Sequence, residues 1–181
     1  MASGFEYIAS TGSPVGVSTL SFTSVPNTYD SLVLRGYCCA DNSAEQEGYI
    51  RFNGDNTTGN YSRNFGGRYG TISAQIWQGS SHSNFTFVPG SGIPTYGGSI
   101  VSQVDMNIFA YRKDSTVPGA PGMMSQSNYH ALTTGYNSVQ FLFSVWYKGD
   151  NTVDVTSIEL LISNGNWGAQ TKFHLYGRSE S

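Results

Sequence analysis

Charge is what this chain most lacks. Lys, Arg, Asp and Glu together make up 12% of its 181 residues, about half the usual share of a globular protein. Ser, Thr, Asn, Gln and Gly supply the polarity instead. The basic residues are scattered, Arg112-Lys113 being their densest grouping, and the formal net charge is −3. A nucleic-acid binder needs a basic patch to neutralise phosphates, so no nucleic-acid partner is expected. No run of about 18 apolar residues occurs, so neither a membrane-crossing helix nor a membrane partner is expected. Residues 1–6 lack the charged and apolar regions of a secretion signal, which predicts synthesis in a cytoplasm.

Cysteine is scarce and badly placed for a disulfide. Cys38 and Cys39 are adjacent. Their Cα atoms can be only about 3.8 Å apart, and on a strand their side chains point to opposite faces. Two reduced thiols are predicted, one of them packed as a small hydrophobe.

Catalytic patterns are missing too. Histidine occurs at His82, His130 and His174 alone. No serine sits in a G-x-S-x-G elbow, no C-x-x-C zinc pattern occurs, and no phosphate-cradling glycine motif is present. Glu45 and Glu47 could share a strand face, but no third acid can be matched to them across a cleft. The stretch Asp55 to Asn60 spaces oxygen-bearing side chains like a calcium loop, yet has one carboxylate and no later glutamate. Turn chemistry accounts for it better. No catalytic residue, metal or cofactor is predicted, and the chain does not read as an enzyme.

What is present is β-structure. Alternating runs recur at Phe5–Ala9, Val17–Thr23, Ser31–Cys39, Gly48–Phe52, Thr71–Trp77, Asn84–Val88, Ser99–Tyr111, Met123–Leu132, Val139–Tyr147, Val153–Ile162 and Thr171–Gly177. Turn signals separate them, among them Pro26-Asn27, Asn53-Gly54-Asp55 and Asn164-Gly165-Asn166. No window carries a helical apolar stripe. Short strands at this spacing predict a single all-β domain over 1–181, an antiparallel β-sandwich of jelly-roll type. Asn53 to Gly70 and Pro89 to Pro94 are predicted surface loops, and His82 is placed in another.

Aromatic residues are plentiful, at 14%. With so little charge, that suits a protein that buries part of its outside against neighbours. Trp77 and Trp146 read as strand core residues. Trp167, in Asn164-Gly165-Asn166-Trp167-Gly168, and Tyr61, in Asn60-Tyr61-Ser62, sit among amides as sugar-stacking rings do. They are the glycan-binding candidates, although Trp167 reads better as a plug over one end of the sandwich.

Several segments resemble tailed-bacteriophage virion proteins. They are Tyr49-Ile50-Arg51-Phe52-Asn53-Gly54-Asp55 with Asn60-Tyr61-Ser62, the opening Phe5 to Thr11, Val25 to Gly36, and the end from Ile158-Glu159-Leu160 through Phe173-His174-Leu175-Tyr176-Gly177. Residues 72–132 match nothing in that group. The resemblance implies a structural β-sandwich with no catalytic residues. Such proteins look like capsid decoration (cement) proteins or fibre-tip modules. The chain has no heptads or stem-like repeat, which favours decoration. The expected partner is the major capsid protein, the expected assembly a homotrimer, and the expected location the capsid surface of the virion. Contact candidates are Phe5 and Tyr7 on the first strand and Tyr61 and Phe65 in the 53–70 stretch. The alternative is a tail-tip module that binds host glycan through Trp167 and Tyr61.

Overall fold

Alternation sets which face each strand buries. In Gln46–Phe52 every second side chain is buried, ending in Ile50 and Phe52, and Lys172–Arg178 repeats this with Phe173, Leu175 and Gly177. A computed structural model describes residues 4–42, 46–69, 75–93, 101–111, 122–131, 136–146 and 153–179. Among them are twelve strands and no helix: β1 (Phe5–Ser10), β2 (Thr19–Phe22), β3 (Ser31–Cys38), β4 (Gln46–Phe52), β5 (Tyr61–Tyr69), β6 (Gln75–His82), β7 (Phe85–Ile93), β8 (Ser102–Phe109), β9 (Gly122–Ala131), β10 (Tyr136–Trp146), β11 (Ile158–Ile162) and β12 (Lys172–Arg178).

The strands form two antiparallel sheets. The large sheet runs β1-β12-β3-β8-β9-β10-β5-β6 and the small one β2-β11-β4-β7. Without the hairpins β5–β6 and β9–β10, the remaining strands nest. First lies beside last in one sheet, and second beside next-to-last in the other.

The core lies between the sheets. Leu175, Leu34 and Met106 form a row across three strands of the large sheet. They join one buried cluster with Phe22, Ile50, Phe52, Ile158 and Leu160 of the small sheet. Each such fully buried side chain contributes roughly 1.5–3 kcal/mol relative to exposure. Gly36 pairs with Phe173 and Val104 in the same layer. A Cβ there would overlap the Lys172 carbonyl and the Phe173 ring, so glycine makes room for the ring.

Four expectations are corrected. The predicted 53–70 loop is a turn followed by strand β5, which pairs with β10 on one side and β6 on the other. The Pro89–Pro94 loop lies largely within β7, an edge strand whose pairing with β4 is strongly irregular between Val88 and Ile93. Proline lacks an N–H, and an edge tolerates that. His82 ends β6 rather than sitting in a loop. The 153–162 strand is also shorter than expected, because residues 156 and 157 are held elsewhere. Glu45, Arg112-Lys113 and the Thr71 end of its predicted strand lie outside the described residues.

Candidate functional site

The motif Asn53-Gly54-Asp55 builds the interior of the sandwich. Asn53 and Gly54 both have positive φ, 53° and 66°, the type I′ geometry that Asn-Gly favours. Asp55 N–H closes the turn onto the Phe52 carbonyl at 2.9 Å. Asn53 Oδ1 accepts from Thr156 N at 2.8 Å and Ser157 N at 3.1 Å, and its Nδ2 donates to the Asp154 carbonyl at 2.8 Å. This clamp takes the backbone of residues 156 and 157 and so delays the start of β11.

Asp55 faces inward. Its carboxylate accepts from Trp146 Nε1 at 2.7 Å, Asn60 Nδ2 at 2.8 Å and Thr57 N at 3.0 Å. Burial by itself would raise this carboxyl. The bonds from Asn60, Trp146 and Thr57 outweigh it and hold Asp55 below the ordinary aspartate value. Three converging N–H donors fit a structural anion, not a cation ligand. Tyr61 donates its hydroxyl to the Asp55 carbonyl at 2.8 Å and accepts from Phe52 N at 3.2 Å. Its ring stacks on Trp146 at 6.2 Å, and burial pushes its phenol up.

Trp167 is equally enclosed. Its indole donates to the Leu160 carbonyl at 3.3 Å, and its ring meets Phe173 edge-on at 6.0 Å. Asp41 holds the loop in front of it, accepting from Asn166 N at 2.9 Å and Asn166 Nδ2 at 3.0 Å. Those bonds, the backbone one foremost, lower the Asp41 carboxyl. Trp167 is 1% and Tyr61 0% exposed. A sugar stacks only on an open ring face, so both glycan candidates are corrected to core residues. Tyr61 is corrected as a contact residue for the same reason. Trp146 is buried as expected, while the side chains of Phe65, Trp77 and His130 lie outside the described set.

Both cysteines are free and buried. Burial pushes both thiols up, away from the thiolate that reactivity needs. Cys38 joins the core. Cys39 packs on the other side, its N–H donating to Thr171 Oγ1 at 3.0 Å.

The outer face of the large sheet is different. Eight large apolar side chains are exposed among the described residues, and five of them share this face: Phe5 at 54%, Tyr7 at 56%, Tyr37 and Phe109 at 41%, and Met124 at 38%. The other three are valines outside any strand. No protein-family model, no curated protein and no solved structure matches this chain at a significant level.

Phe5 and Tyr7 lie on β1, an edge of the large sheet. Tyr7 packs edge-on to Tyr176 at 5.9 Å and near His174 at 6.4 Å. The Arg35 guanidinium sits 5.2 Å from the centre of the Phe5 ring, and its Nε reaches Asp105 at 2.9 Å. That ion pair is half exposed and contributes little stability; its effect is to fix the guanidinium beside the ring. Ile8 bulges out of register with β12, a device that blunts an edge against open-ended pairing. The result is a pre-set aromatic patch beside a partly blunted edge. The contact candidates Phe5 and Tyr7 are thus brought together with residues that strand periodicity did not single out: Tyr176, His174, Arg35 and Phe109. The signal for Tyr176 and Phe109 was the polar half of each alternation, where aromatics stand in place of charges.

Proposed function

We propose that this chain is a structural protein of a tailed-phage virion that decorates the head. It docks on the major capsid protein through the Phe5–Tyr7 end of the large sheet's outer face. The observation that carries this reading is the concentration of exposed aromatics on one sheet face in a chain with little charge. Exposed apolar surface gathered in a patch marks a site of association, and aromatic residues dominate the energetics of such contacts. The resemblance of the motif segments to virion proteins supplies the partner. The nested strand order supports reading the sandwich as a jelly roll extended by two hairpins, an architecture that viral capsid domains use. Fold alone hosts many functions, so the weight rests on the face. Threefold positions on a head call for a homotrimer with cyclic symmetry. Many weak contacts then add by multivalency to resist internal pressure.

The double variant Phe5→Ser/Tyr7→Ser tests this. Both side chains are exposed, so thermal unfolding should change little. Binding to heads stripped of the protein should weaken by about a hundredfold or more, as expected when two aromatic anchors are removed. Unchanged binding, or stripped heads that keep full resistance to heat, would sink the proposal.

A further inference from the structure

The opposite end of the same sheet face carries a second feature. A concavity of about 380 Å³ opens there, lined by Ser13, Tyr37, Val101, Ala169, Gln170 and Lys172. Lys172 is the register partner of Tyr37 and sits six residues from Arg178, which pairs with Phe5. At roughly 3.3 Å per residue that places it about 20 Å from the level of Phe5 and about 13 Å from that of Tyr7.

We propose that this concavity binds an acidic saccharide, a sugar ring bearing a carboxylate. Its volume falls in the range of small-molecule sites, about 300–1,000 Å³. Being open, it leaves one side of its occupant in water, which a ring with hydroxyls all round tolerates and an apolar ligand does not. Tyr37 offers a half-exposed ring for the C–H face of a pyranose. Gln170 and Ser13 supply an amide and a hydroxyl, which both donate and accept as sugar hydroxyls require. Lys172 supplies one ammonium, matched to one carboxylate by a charge-assisted bond. Among the described lining residues none is acidic, and Lys172 is the charged one. Trp167 and Tyr61 take no part.

The test is a titration of the ¹⁵N-labelled full chain with a galacturonic acid trisaccharide and, separately, with its neutral galactose counterpart. Amide shifts should centre on residues 36–38 and 169–172. Tyr37→Ala should weaken both ligands about tenfold or more, and Lys172→Gln only the acidic one by about tenfold. Both variants should unfold within a few degrees of the parent, since the altered side chains lie at the surface. Absence of shifts up to about 10 mM ligand, shifts centred elsewhere, or Lys172→Gln binding the acidic sugar unchanged would overturn the assignment. So would equal shifts from an oligoglutamate peptide, which would mean that the site reads charge alone.

Discussion

Asp55→Ala is expected to lower the unfolding free energy by about 1–3 kcal/mol, the cost of leaving a buried donor without its acceptor. The reason is what alanine would leave behind. The Trp146 indole N–H points at the carboxylate from a ring that is 1% exposed, and without Asp55 it would be buried with no acceptor. Asn60 Nδ2 and Thr57 N would lose their partner as well. Asp55→Asn should cost less, because the amide keeps one acceptor oxygen while placing a donor against donors. Urea denaturation of the three proteins checks the order: parent most stable, Asn intermediate, Ala least. The same site predicts a pH dependence. The folded-state carboxyl lies below its ordinary value of 3.8, so the unfolded chain takes up the proton first. The Asp55 contribution is therefore complete above the unfolded value and is lost as pH falls through the folded one. The acid limb of the stability curve should be shallower in Asp55→Asn.

Trp167→Ala is expected to cost about 3–5 kcal/mol, the usual range for emptying a buried tryptophan site. The ring fills the end of the core against Phe173, and its loop is tied to Asp41 and to the Val17 carbonyl. A sugar-stacking residue would behave differently, since its loss would leave the midpoint of unfolding in place. Thermal or chemical denaturation separates the two roles directly. An unchanged midpoint would mean that the ring is not part of the core.

Much of the fold can be read from alternation. The runs at β3, β4, β8 and β12 have one apolar face each, and the sheets bury those faces. Strand β5 is hidden in the sequence because YSRNFGGRY is polar and glycine-rich. Strand preference reflects side-chain packing, whereas β5 is held by backbone ladders on both sides. Proline in β7 suggests a break and is accommodated by an edge. The shortened β11 depends on Asn53, about a hundred residues earlier, and no local pattern reveals it. The site was legible in part. Phe5 and Tyr7 stand out as aromatics on a first strand, but Tyr176, Arg35 and Phe109 join them only through the order β1-β12-β3-β8. Trp167 and Tyr61 mislead for a clear reason: amide-rich surroundings mark a sugar site and a capped loop equally well, and burial separates the two.

The central claim, that the aromatic end of the large sheet's outer face seats this protein on a phage head, is tested most directly by cryo-electron microscopy of virions that contain it. The account predicts density repeated over the whole head, with Phe5 and Tyr7 turned toward the major capsid protein. A few copies confined to the tail, or a head lattice with that face turned to solvent, would contradict it.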